Sequence, residues 1–164
     1  MTEQPRFSIR PMIPADREAV IDLIWALNLF ENALTDDRVT ERQDAEECLK
    51  EDEDAVQKHP GGALLVADID GSPIGFLALS MNKGSPFTRA DMRGHGHVLD
   101  LIVSEDFRNQ GIGQALLARA EELTKAAGYR NLLIGLVETN TNAQRAYTKF
   151  GFKPHAREMI KRIE

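Results

Sequence analysis

The stretch FRNQGIGQALLARA, Phe107–Ala120, sets two glycines one residue apart directly before an apolar helical pattern. Leu116, Leu117, Ala120 and the following Leu123 recur at helical spacing and predict a buried face, which puts Gln110, Gly111, Ile112 and Gly113 around the first turn. The N–H groups of that turn have no intrahelical partner, and the helix dipole makes the end partly positive. Glycine removes side chains that would hold a phosphate away, and Arg108 adds a full positive charge beside the amides. The stretch therefore has the chemistry of a diphosphate cradle, although a tight turn with glycines chosen for backbone geometry alone produces the same G-x-G. Two other nucleotide patterns do not fit. No Lys-Ser/Thr follows the last glycine, as a Walker A loop requires, and Leu116 stands where a dinucleotide fingerprint needs a third small residue.

Outward from this stretch, strands and helices alternate. FSIRPM reads as a short strand, followed by a helix over PADREAVIDLIWALNLF that starts at Pro14 and Asp16. Its predicted core face is Ala19, Val20, Leu23, Ile24, Leu27 and Phe30. The charged segment Thr40–Lys58 reads as a second helix whose charges form a solvated face. Ala63–Ile69 and Ile74–Met81 are strands joined at Asp70, Gly71, Ser72 and Pro73, which predicts a hairpin. NKGSPFTRADMRGHG lacks periodicity and reads as a surface loop. Then come the strand HVLDLIV, the helix ending near Gly128, the strand RNLLIGLV, a short helix from Thr141 to Phe150 and a last strand, FKPHAREMIKRI. No repeat or linker divides the chain. The expectation is one α/β domain over 1–164, with a mixed, mostly antiparallel central sheet flanked by helices.

Composition bounds the partners. A chain of 164 residues with 42% hydrophobic content supports one core. A net charge of −6 argues against nucleic acid, which needs a basic face; it suits a cationic small partner and equally a merely soluble acidic surface. Cys48 is the only cysteine, so a reducing compartment is expected. MTEQPRFSIRP lacks a signal-peptide core and no apolar run reaches the ~20 residues that span a bilayer, so the expected location is cytoplasmic, without a membrane partner. His95 and His97 suggest no third ligand by spacing, and no metal is expected.

A second stretch, NTNAQRAYTKFGF, Asn140–Phe152, combines with VSEDFRNQGIG so that the chain resembles the GNAT superfamily of acyl-coenzyme A-dependent N-acyltransferases. In that family a strand ending in Val precedes R/Q-x-x-G-x-G/A, matched here by Val103, Arg108, Gly111 and Gly113. A later N-x-x-A-x-x-x-Y-x-x-x-G-F is matched at Asn140, Ala143, Tyr147, Gly151 and Phe152. The resemblance covers residues 97–153 and implies a GNAT-type fold with acetyl-CoA as co-substrate. It implies that Arg108, Asn109, Gln110, Gly111, Ile112, Gly113 and Gln114 hold the diphosphate, and that the pantetheine arm lies along Leu101, Ile102 and Val103 like an added strand. The Val103 N–H would polarise the thioester carbonyl, an oxyanion-hole arrangement. Asn140 and Ala143 would border the pantetheine, with Asn140 also capping the short helix.

Tyr147 sits where the family has its general acid, and a phenol of reference pKa about 10 can protonate a departing thiolate. Otherwise it fills the gap between helix and sheet. An alkylamine of pKa ~10.4 must lose a proton before attack. His97 and Asp100 are the candidate bases. Alternation predicts His97, Leu99, Leu101 and Val103 on one face and Val98, Asp100 and Ile102 on the other. LFENALTDDRVTE has a short likeness to diamine and spermidine/spermine N-acetyltransferases, in which Phe30 and Glu31 would offer an apolar wall and a carboxylate to the amine.

The resemblance thus implies acetyl transfer from acetyl-CoA to a primary amine, on a small molecule or a peptide, by direct attack in a ternary complex. The alternative is a catalytically silent acyl-CoA-binding domain acting through a protein partner; both need the cradle, but only the enzyme needs Tyr147. Exposed sheet edges and the strand-forming HAREMIKRI predict a homodimer.

Overall fold

The computed structural model describes residues 7–163, so residues 1–6 and 164 of the expected domain lie outside it. One sheet is built from β1 (Ser8–Pro11), β2 (Ala63–Ile69), β3 (Ser72–Asn82), β4 (His95–Val103) and β5 (Leu132–Ile134), in that spatial order. Pairing is antiparallel from β1 to β4 and parallel between β4 and β5, the mixed, mostly antiparallel sheet expected. Helices α1 (Arg17–Thr35), α2 (Arg42–Gln57), α3 (Ile112–Ala126) and α4 (Thr141–Phe150) complete it. Among the described residues no helix is long and apolar enough to cross a membrane.

The sheet is covered on both faces. Leu65, Leu77, Leu79 and Val98 pack against Ile112, Leu116, Leu117 and Ala120 of α3. On the other face Val66, Phe76, Ala78 and Ile102 meet Val20, Ile21 and Ile24 of α1 and Ala45 and Leu49 of α2. This explains why β3 is apolar from Ile74 to Leu79, since a strand buried on both faces loses the polar half of its alternation. The start of α1 is pinned to the sheet. Arg10 on β1 donates to both oxygens of Asp16, at 2.7 and 3.0 Å, and to Asp68 on β2 at 2.9 Å, while Asp16 also accepts the Ile13 N–H at 2.8 Å. The guanidinium holds the buried Asp16 carboxyl below the usual carboxylate range.

Four local expectations are corrected. The core face of α1 includes Ile21 and Asn28, whereas Phe30 is 39% exposed, because the helix runs on past the sheet to Thr35 and stops where Asp36 turns left-handed at φ 54°. In α2 the acidic face is not wholly solvated, since Asp52 is buried. β5 is only three residues long. The expected last strand is absent: residues 152–163 form no ladder. Pro154 has no N–H to give a ladder, and Met159, Ile160 and Ile163 do not follow a period of two, so the segment has no single apolar face to lay on the sheet. It crosses the open end of the sheet instead, held by Arg157 to Glu138 at 2.9 Å and by Arg162 to the Thr35 carbonyl at 3.2 Å. A dimer built on a terminal strand loses that basis.

The alternation predicted for β4 is also overturned. In the β3·β4 register Ala78 faces Asp100 and the next residue, Leu79, faces Val98, so Leu99 is a bulge with no partner of its own. The extra residue reverses the phase of the strand. Val98 joins Leu101 and Val103 on the α3 face, while Leu99 packs with Ile102 toward α1 and α2. His97 and Asp100, predicted on opposite faces, line one cavity.

Candidate functional site

The turn before α3 takes its shape from two left-handed residues, Asn109 at φ 62° and Gly111 at φ 83°. Nothing lies within 4 Å of where a Cβ would sit on Gly111, so backbone conformation rather than crowding calls for glycine there. A Cβ on Gly113 would meet only the Val103 Cγ2, at 3.8 Å. The first bond of the helix is Ala115 N–H to the Gly111 carbonyl, which leaves the amides before it without helical partners at a turn that is exposed at Gly111 and half-buried at Gly113 and Gln114. Arg108 lies back over the end of β4 and donates from Nε to the Val103 carbonyl at 3.2 Å.

Beside this turn the sheet opens. β4 pairs with β5 only from Gly96 to Val98, and the edge from Leu99 to Val103 has no strand beside it. The Ser104 N–H donates to the Ile74 carbonyl at 2.8 Å, which makes Gly75 and Val103 a non-hydrogen-bonded pair. The N–H groups of Val103 and, two residues earlier, Leu101 therefore point away from β3 into the opening, while Ile102 bonds to β3.

α4 borders the same opening. Asn140 Oδ1 accepts the Ala143 N–H at 3.1 Å, the cap its type and position predict, and leaves its amide nitrogen unused by that bond. Tyr147 packs edge-on to Phe152, ring centroids 6.0 Å apart. Burial, with the nearby carboxylates of Glu31 and Asp100, pushes its phenol up to about 12, so it keeps its proton across the neutral range.

On the α1 side of β4 lies a cavity of about 1000 Å³. Its walls come from α1 (Asn28, Glu31), α2 (Cys48, Asp52), β4 (His97, Asp100), the segment after β5 and the crossing tail. Burial lowers the His97 imidazole below its ordinary value, favouring the neutral ring. Burial raises Asp100 and drives Asp52, beside it, up to about 8. Glu31 lines the cavity and is paired with Arg38 at 2.9 Å, whereas Phe30 stands outside the wall.

The sequence model of the acetyltransferase (GNAT) family matches residues 26–152. The chain belongs to the GNAT family. An uncharacterized N-acetyltransferase of Archaeoglobus fulgidus is 28% identical over 137 residues, 81% of this chain and 86% of that protein. One from Methanocaldococcus jannaschii is 29% identical over 106 residues, 65% of this chain but 45% of that protein. In fold, the aminoglycoside N-acetyltransferase AAC(6')-Iy in complex with CoA superposes with a TM-score of 0.72 at 18% identity, covering 99% of this chain and 98% of that one.

Within this GNAT chain the α3 turn is tied to α4 beside Tyr147 through Gln114 and the Ala146 carbonyl, and His97, Asp100 and Glu31 share one cavity. The contribution of α2 was missed. Asp52 stands at helical spacing from Ala45 and Leu49, on the apolar stripe that buries them. An acid on a buried stripe is the signal that would have found it.

Proposed function

We propose that the protein transfers an acetyl group from acetyl-CoA to a primary amine of a small molecule, by direct attack in a ternary complex. The carrying observation is that β4 separates two half-sites: an open edge beside a helix N-terminus, and an acidic cavity across the strand. The free amides before Ala115, the charge of Arg108 and the room at Gly113 suit a diphosphate held by Arg108–Gln114. The outward N–H groups of Leu101 and Val103 suit a pantetheine arm lying as an added strand, with Ile102 holding the edge to β3. Asn140 and Ala143 border that arm.

The chemistry follows from proton positions. In the cavity the neutral His97 accepts a proton from the ammonium, and the free amine nitrogen attacks the thioester carbonyl carbon. Of the two outward N–H groups, that of Leu101 lies nearer the cavity, toward the thioester end of the arm, and stabilises the oxygen as it gains charge. The C–S bond breaks, the sulfur takes the proton of Tyr147, which burial has kept in place, and the surplus proton on the new amide nitrogen restores the phenol, while His97 passes its proton to solvent. Asp100 sits deeper, against Asp52, and serves the ammonium as a counter-charge rather than as the base. Glu31 faces the amine, and Phe30 takes no part in the wall.

Residues from 27–38 and the tail line the cavity while the loop after β3 does not, and the acids around it suit a small cationic acceptor. A silent binding domain has no use for that cavity. The test is amine-dependent release of free thiol from acetyl-CoA across a panel of primary amines. Release with at least one small amine supports the reading, and a chain that binds acetyl-CoA yet releases no thiol with any of them overturns it.

A further inference from the structure

We infer that the acceptor carries at least two ammonium groups, and that the one not being acetylated docks against the Asp52–Asp100 pair. This deepens the acetyl-transfer reading and rests on it. Asp52 is 8% exposed, lines the cavity, and its Oδ2 meets no hydrogen-bond partner among the described residues. Buried polar oxygens are nearly always paired, so an orphan calls for an absent donor. Burial and the neighbouring Asp100 push the Asp52 carboxyl up to about 8, so at neutral pH it keeps its proton until a cation compensates it.

Nothing in the wall supplies the donor. On α1, Asn28 gives its amide to Cys48 Sγ at 3.7 Å, and on β4 His97 is held neutral by burial. Arg38, also in the wall, is engaged by Glu31 and Asp37, each at 2.9 Å. The remaining charged groups facing the cavity are carboxylates: Glu51 on α2, Glu138 after β5 and Glu158 on the tail. Glu51 and Glu53 push the Asp52 proton on more firmly. A primary ammonium brings three donors and a positive charge, so it satisfies the orphan and lets Asp52 ionise. An acceptor bearing phosphate would meet the same wall as repulsion. With Leu99 bulged, His97 and Asp100 stand opposite Ser80 and Ala78, two residues or roughly 7 Å apart along the strand, a separation that suits a flexible alkyl diamine with one nitrogen at each.

The experiment is calorimetry on the full chain with spermidine, 1,4-diaminobutane and butylamine, in phosphate and in Tris at pH 7. Spermidine and 1,4-diaminobutane should bind about 10- to 100-fold more tightly than butylamine, the range of a charge-assisted bond to a buried group. Their binding should release about one proton at pH 7, where Asp52 is protonated, and almost none at pH 9.5. Asp52→Asn should remove both the preference and the proton release while leaving the thermal shift given by acetyl-CoA intact. Equal affinity for 1,4-diaminobutane and butylamine overturns the inference, as does a preference with no proton released. Proton release is read on the unsubstituted chain, so the test stands even if Asp52→Asn does not fold. Absence of any thermal shift with acetyl-CoA would instead remove the proposed function itself.

Discussion

Gln114 Nε2 donates to the Ala146 carbonyl at 3.2 Å and so joins the first turn of α3 to α4 one residue before Tyr147. The cradle and the candidate acid are held in one frame by a single bond. Gln114→Ala should raise KM for acetyl-CoA and lower kcat together, each by about fivefold if the bond is worth about 1 kcal/mol. Steady-state kinetics with both substrates varied would read this, and a change in KM alone would mean that α4 keeps its place without the bond.

Tyr147→Phe keeps the ring against Phe152 and removes the proton. The expected loss in kcat is ~10²- to 10⁴-fold at unchanged acetyl-CoA affinity. Because burial holds the phenol near 12, the unsubstituted protein should show no alkaline fall in rate below about pH 10. An unchanged kcat, with chemistry rate-limiting, would reduce Tyr147 to packing.

The pH profile on the acid side tests His97. Its pKa is lowered by burial, so the base form persists below the ordinary histidine value of about 6.5, and kcat should start to fall only at more acidic pH. His97→Gln should cost about 10²-fold or more and abolish that limb. A limb that survives the substitution would assign it to another group.

Gly113→Glu should abolish cofactor binding without unfolding the chain, since a Cβ there meets only Val103 Cγ2 at 3.8 Å. Acetyl-CoA at a hundred times its Kd should stabilise the parent by about 2.7 kcal/mol and the variant not at all. Gly111→Ala acts differently. Space is free there, but φ is 83°, so it should cost about 1–2 kcal/mol of stability. Melting curves with and without ligand separate the two effects.

Two buried aspartates should respond to pH in opposite senses. Asp16 has a depressed pKa, so its contribution is present above the unfolded carboxylate value of about 3.9 and lost as pH falls through the folded one. Asp52 has a raised pKa, so stability falls as pH rises from about 3.9 toward 8. Asp52→Asn should therefore raise the Tm of the ligand-free protein at pH 8, with the gain shrinking toward pH 4. A Tm for Asp52→Asn that is no higher at pH 8 would show that the carboxyl is not strained.

The turn before α3 and the cap of α4 were legible because their constraints are local. Gly111 must adopt a left-handed backbone, and Asn140 must cap a helix that begins at the next residue; each requirement marks the sequence within a few positions. The paired strands were legible from the turn at Asp70–Pro73. Register was not. Counting by twos along HVLDLIV assumes an unbroken pleat, whereas the bulge at Leu99 arises from pairing with Leu79 and Ala78, residues far away in sequence. Asp52 was hidden for a related reason: on a helix so rich in acids, burial is decided by what packs across from it. The tail FKPHAREMIKRI has strand-like residues, but local preference cannot form a ladder without a facing partner.

The bulge at Leu99 gives β4 two independent reading frames. From Asp100 onward the strand keeps one step with β3 along its open edge, which in the proposed reaction takes the acyl donor, while His95–Val98 keeps a second step that, in the same proposal, sets which side chains reach the amine. Variation in one frame leaves the other untouched. A lineage could exchange the residues that choose the acceptor, or slip that half by a residue, without disturbing the grip on the donor, so new acceptors can be tried on a fixed donor site.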